Sequence, residues 1–310
     1  MHIANPIYDV VFKYLMEDQE IAKLIISTIT GEEIVDLEFL PQESTLFIEQ
    51  LSLTVYRLDF SAKIRQPDGT LKLIIIEIQK AKLATDIMRF RRYLGEQYSK
   101  KTNIYQVTTG NKTIRKGMPV VSIYFLGYRL DNITAPVIKV ARHYYDVTTG
   151  KEIPEREDFI ESLTHDSYVI QIPHLGYDRR SEVEELLAVF DQHRITADEH
   201  TLDINEDEYQ EKYQKIIRRL ERANANPEVR RTMDAEDEII EELRELERVI
   251  ELKDKELAEK NQALDQVLEE KDQVLEEKTE TIENQCKKIE EQQKIIAELQ
   301  KRLQSSGQPL

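Results

Sequence analysis

Leu71-Lys72-Leu73-Ile74-Ile75-Ile76-Glu77-Ile78-Gln79-Lys80 is the stretch on which the fold turns. Its β-branched run is too short for a buried helix and too apolar for a half-exposed strand, so it predicts a strand in the middle of a sheet. Pro67-Asp68-Gly69-Thr70 just before it is a turn signal, with proline and glycine supplying the backbone angles a reversal needs. Residues 51–64 alternate and read as the antiparallel partner, so the pair forms a hairpin. Side chains alternate across a strand, which places Ile75, Glu77 and Gln79 on one face and Ile76, Ile78 and Lys80 on the other. On the partner strand Arg57, Asp59, Ser61 and Lys63 share a face.

Outward from the hairpin, residues 5–30 follow a helical period and stop at Gly31. A second helix spans residues 85–100. Residues 118–128 form another buried strand, with shorter strands at 137–147 and 168–172. Ser181 opens a helix to about 192, with Glu184 in the capping-box position. A further helix over 206–223 ends at Asn224-Ala225-Asn226-Pro227. This order predicts an α/β or α+β sheet domain.

The last segment is of another kind. Leu243, Ile250, Leu257 and Leu264 recur every seven residues; Leu268, Leu275, Ile282, Ile289, Ile296 and Leu303 then do the same. Asp265-Gln266-Val267-Leu268-Glu269-Glu270-Lys271 repeats at once as Asp272-Gln273-Val274-Leu275-Glu276-Glu277-Lys278. Sustained heptads with charged flanks predict a coiled coil, and the four-residue step from Leu264 to Leu268 is a stutter. Lys271, Lys278 and Gln285 at seam positions weaken it, and a solvated single helix is the alternative. The expected organisation is a domain over 1–230, a coiled coil over 234–304 that self-associates in parallel, and a disordered tail from 305 to 310.

Apolar residues make up 40% of the 310-residue chain and charged residues 33%, with a net charge of −17. That charge is unevenly spread. Residues 231–310 hold 13 basic and 23 acidic side chains, whereas residues 54–116 hold 14 basic and 5 acidic. The locally basic stretch is either a phosphate-binding face or a solvated surface. No run approaches the roughly 20 apolar residues that span a bilayer, and residues 1–6 carry no basic flank or apolar signal core, so a cytoplasmic protein with no membrane contact is expected. Cys286 is the sole cysteine, and the six histidines show no ligand spacing. With only 9 glycines, no phosphate-cradling glycine loop is present.

Asp59 and Glu77 are carboxylates set among apolar neighbours in strands expected to be central. A buried unpaired carboxylate costs several kcal/mol, so each needs a cation or hydrogen-bond donors. A shared Mg²⁺ meets that need, since it takes one or two carboxylates together with waters and phosphate oxygens. Salt bridges to Arg57 or Lys63 meet it as well. Spacing alone leaves the two readings open.

Tyr56-Arg57-Leu58-Asp59-Phe60, the turn Pro67-Asp68-Gly69 and Ile76-Glu77-Ile78-Gln79-Lys80 together resemble the PD-(D/E)xK nuclease superfamily, in its transposase-associated branch of recombination-promoting nucleases. Tyr8-Asp9-Val10-Val11-Phe12-Lys13 and Arg89-Phe90-Arg91-Arg92-Tyr93 are also similar to that branch. The resemblance covers residues 5–130 well, is vaguer to 230 and excludes the coiled coil. It implies a restriction-endonuclease-like mixed sheet flanked by helices, and a Mg²⁺-dependent (or Mn²⁺-dependent) DNA endonuclease serving transposition, recombination or phage defence. By the resemblance Asp59 and Glu77 ligate the metal with the Ile78 backbone carbonyl, and Gln79 occupies the place where most of the superfamily has a water-orienting lysine. Gln79 brings no positive charge and cannot act as a base, so Lys63 or Lys82 is the expected source of the missing charge. Asp9 either assists the metal or simply pairs with Lys13 one helical turn away. Arg89, Arg92 and Tyr93 lie on one helix face and are expected to grip the DNA backbone. The rival reading is a catalytically silent module that binds DNA or a partner and assembles through its coiled coil.

Overall fold

The computed structural model describes residues 1–40, 46–47, 54–55, 60–82, 86–109, 112–176, 179–305 and 307. Contacts divide the chain into two units, Met1–Arg244 and Glu245–Leu310. The first unit is a mixed α/β structure. Its elements in chain order are β1 (His2–Ala4), α1 (Asp9–Met16), α2 (Gln19–Thr30), β2 (Asp36–Phe39), β3 (Leu46–Phe47), β4 (Thr54–Val55), β5 (Phe60–Arg65) and β6 (Leu71–Gln79). They continue with α3 (Asp86–Ser99), β7 (Ile104–Thr109), β8 (Lys112–Gly117), β9 (Val120–Leu126), β10 (Val137–Val140), β11 (Tyr144–Asp146), β12 (Lys151–Ile153), α4 (Asp158–Leu163) and β13 (Asp166–Gln171). Last come α5 (Glu182–Leu187), β14 (Thr201–Asp203), α6 (Glu211–Asn224) and the long helix α7 (Pro227–Ser305).

Six strands form the central sheet in the order β10-β13-β9-β6-β5-β2. β6 runs parallel to β9 and antiparallel to β5, and β13 runs parallel to β9. The turn before β6 is held by Asp68, which accepts from the Thr70 amide at 2.9 Å, while Gly69 takes φ +85°. Paired on both edges and covered on both faces, β6 has Leu73, Ile74, Ile75 and Ile76 wholly buried. Removing each such side chain from water is worth roughly 1.5–3 kcal/mol. One face, carrying Ile74, Ile76 and Ile78, packs into the main core with α1 and α2; the other, carrying Leu73 and Ile75, packs against Phe90 and Tyr93 of α3.

Several elements differ from the sequence expectation. The single helix expected over 5–30 is two, because Asp18 accepts from the Glu20 and Ile21 amides and caps a new helix. Of the strand expected over 51–64, residues 60–64 lie in β5 of the central sheet and Thr54–Val55 pair with Leu46–Phe47, while residues 51–53 and 56–59 lie outside the described residues. Val137–Val140 and Tyr144–Asp146 are two strands in different sheets, and the hairpin of β7 and β8 has no counterpart in the sequence expectation. Ser181 does cap α5 through the Glu184 amide, but that helix ends at Leu187.

The long helix starts at Pro227, inside the stretch read as the end of the domain, and its root belongs to the first unit. Val229 and Met233 are buried in the main core. Glu236 accepts the Asp9 and Val10 amides at 3.0 and 2.8 Å, satisfying the open N-terminus of α1. Asp237 accepts from the Tyr8 hydroxyl at 2.8 Å, ion-pairs with Lys80 and lies 3.0 Å from His200 Nε2. The Lys80 ammonium also stands 3.7 Å from the centre of the Tyr8 ring. Burial, together with the Asp237 carboxylate, pushes the Tyr8 hydroxyl far up, so it stays a donor. Lys80 directly succeeds Gln79, so this network clamps the carboxyl end of β6.

Burial and the nearby Asp9 carboxylate raise Glu236 from 4.5 to about 7, against the opposing pull of the two amides and Lys13. A carboxyl raised in the fold holds a proton that the unfolded chain has released, so the contribution of Glu236 to stability is greatest below pH ~4.5 and falls as pH rises to about 7. The full shift corresponds to at most about 3 kcal/mol. Glu236→Gln is expected to flatten this slope relative to wild type and, because its NH2 cannot accept the second α1 amide, to lower stability at pH 4.5, as read from urea melts at several pH values.

Candidate active site

Glu77 is 1% exposed and Gln79 8% exposed. Both stand on the α3 face of β6 near its carboxyl end, opposite Tyr124 and Leu126 of β9. On the other edge the register with β5 ends, among the described residues, at Phe60 against Ile76. Phe60 is the residue after Asp59 in sequence and Ile76 the one before Glu77. Asp59 itself lies outside the described residues.

Gln79 is held from two directions. The Gly127 amide donates to its backbone carbonyl at 2.7 Å, and the Tyr128 hydroxyl donates to Oε1 at 3.4 Å. Tyr124, directly across from Glu77, packs its ring against that of Phe90, with the centres 4.1 Å apart and the planes tilted by 60°. Burial chiefly, with a smaller part from the Glu77 charge, pushes the Tyr124 hydroxyl up, against the lowering effect of a hydrogen bond with Ser122. Ser122 in turn donates to Ser167 on β13 at 2.8 Å. The site is therefore a buried carboxylate, an amide and two phenols on one sheet face. Tyr124 and Tyr128 are not among the residues that the sequence reading singles out. The one signal in the sequence is Ser122 and Tyr124 interrupting an apolar strand at alternate positions.

The other expected residues are dispersed. The Ile78 side chain is buried in the main core on the opposite face. Lys63 shares the Glu77 face but sits across from Leu73, four residues and about 13 Å along the strand, so the structure does not bring it to Glu77. Lys82 is 59% exposed and 3.5 Å from Asp131. Asp9 ion-pairs with Lys13 at 2.5 Å and meets Glu236 at the root of α7. Arg92 is exposed on α3, and the Arg89 side chain lies outside the described residues. Tyr93 requires a correction. At 1% exposure it packs on Leu73 and Ile75, so it anchors α3 to the sheet and does not grip DNA. Among the described residues no three His, Cys, Asp or Glu side chains cluster as a metal site, a set that leaves out Asp59.

No family model, curated protein or solved structure matches the chain.

Gly127 shows how closely the strand ends are packed. A Cβ there would stand 2.5 Å from the Lys80 carbonyl, 2.9 Å from Ile7 Cδ1 and 3.0 Å from the Gln79 carbonyl. Two of these are backbone atoms that cannot swing away. Gly127→Ala is expected to destabilise the fold by about 1–3 kcal/mol and to loosen the Gln79 backbone, checked by urea unfolding and by hydrogen exchange of β6.

Proposed function

We propose that the chain is a divalent-metal-dependent DNA endonuclease built on a restriction-endonuclease-like core, hydrolysing phosphodiester bonds in transposition, recombination or phage defence in the cytoplasm. The observation that carries this reading is Glu77, a carboxylate almost wholly removed from water at the carboxyl end of a central strand, with Gln79 beside it on the same face. Carboxylates are costly in such a place and are retained where a cation or donors meet them. The donor chemistry fits Mg²⁺ or Mn²⁺: Glu77, Asp59 and the Ile78 carbonyl are all oxygen donors. When bound, the ion supplies Lewis-acid polarisation of a phosphate and a lowered water pKa.

Gln79 orients the attacking water through its amide, and Tyr128 fixes the amide by its hydrogen bond to Oε1. Gln79 adds no charge, which fits slow cleavage. Arg89, Arg92 and Lys82 contact DNA phosphates, and a second copy of the chain is the protein partner. The absence of a lysine at position 79 favours the second reading, a DNA- or partner-binding module without catalysis.

Plasmid nicking in Mg²⁺ or Mn²⁺ tests the proposal. Asp59→Ala and Glu77→Ala are expected to lower the rate on the order of 100-fold or more, while Gln79→Lys is expected to raise it. Unchanged nicking in both alanine variants would remove the site assignment. If wild type cleaves no DNA in either metal, the binding-module reading replaces it.

A further inference from the structure

α7 continues as helix to Ser305, and from Glu245 onward it forms a unit of its own. Along it Leu246, Ile250, Leu257, Leu264, Leu268, Leu275, Ile282, Ile289, Ile296, Leu299 and Leu303 are each 46–65% exposed. With Lys253, Lys260, Lys271, Lys278, Gln285 and Gln292 these positions alternate in steps of four and three, broken once by the four-residue step that comes after another four at Leu264–Leu268. Such a stripe is the seam of a coiled coil, and one helix cannot bury it.

We propose that this seam binds a second copy of the same chain, parallel and in register. The phase jump chooses the arrangement. A partner helix must shift its own seam by the same amount at the same height, or the two stripes diverge. A parallel identical copy does so automatically and pairs every seam position from Leu246 to Leu303. An antiparallel copy that overlaps fully sets the two jumps at different heights. An antiparallel copy slid to align them places Leu299 and Leu303 against residues 229–233, where Val229 and Met233 are already buried in the core of the first unit.

The polar layers limit the strength of the pair. In a parallel pair Lys253, Lys260, Lys271 and Lys278 each face their own counterparts, and their ammonium groups reach outward while their stems cover the neighbouring leucines. Asp254 and Asp272, each one residue beyond a seam lysine, offer countercharge from the partner helix. The pair is therefore expected to dissociate on dilution, unlike one with an all-aliphatic seam.

Sedimentation equilibrium of the full chain is expected to give twice the 36.4 kDa monomer mass, and Ile282→Asp with Ile289→Asp to give the monomer. Both positions are more than half exposed, so the first unit keeps its fold, checked by circular dichroism and thermal melting. Orientation is read from Ile282→Cys in a Cys286→Ser chain: mild oxidation is expected to cross-link it nearly completely. A monomeric wild type at micromolar concentration, a trimer, or a dimer that resists cross-linking at position 282 would each overturn the proposal. These outcomes do not depend on cleavage activity, so they stand apart from the nuclease reading.

Discussion

Burial of β6 between β5 and β9 is the constraint on which the rest of the first unit depends. A strand paired on both edges and covered on both faces must be apolar almost throughout, and Leu73 to Ile76 satisfy that requirement. The same burial makes Glu77 and Gln79 conspicuous. A carboxylate and an amide survive there only where polar groups are gathered on that face, and Tyr124, Tyr128, Ser122 and Ser167 are among the described polar groups of that region. The isoleucine face ties the strand to α1 and α2, while the face bearing Glu77 is capped by α3.

The second organising contact is made by the first turns of α7. Glu236 and Asp237 are neighbours on one helix, yet they reach the start of α1, Tyr8, the end of β6 and His200. Three separated parts of the chain thus converge on two carboxylates. This convergence explains why Lys80, which alternation aims away from Gln79, matters at all: its ammonium is committed to Asp237 and the Tyr8 ring on the opposite face.

How much of the fold is legible in the sequence depends on how strongly burial has marked the residues. β6 and β9 are legible because both faces are covered, which writes continuous apolar runs, and the turn at Pro67–Thr70 is legible from its residue types. The β7–β8 hairpin is not, because its residues are mixed, with Ile104 and Ile114 about half exposed, so no period stands out. The break between α1 and α2 is hidden because the apolar spacing continues through it and only Asp18 marks the cap. Parity correctly groups Ile75, Glu77 and Gln79 on one face. It is silent on Tyr128, whose contact with Gln79 depends on a loop, and helical period alone misjudges Tyr93 by placing it with Arg92, which is exposed. Glu236 and Asp237 look like ordinary acids of an acidic helix; their partners lie more than 30 residues away and leave no local trace.

The position of that root also bears on modularity. Composition suggests a seam between domain and tail near residue 230, where a long charged helix succeeds an Asn-Pro break. A chain divided or grafted there would lose the two carboxylates that close the N-terminus of α1 and hold Tyr8 and Lys80. The natural joint lies past Arg244. Exchange of tails among proteins of this architecture, by recombination or by design, would have to preserve the helix from Pro227 to Arg244 as part of the globular partner.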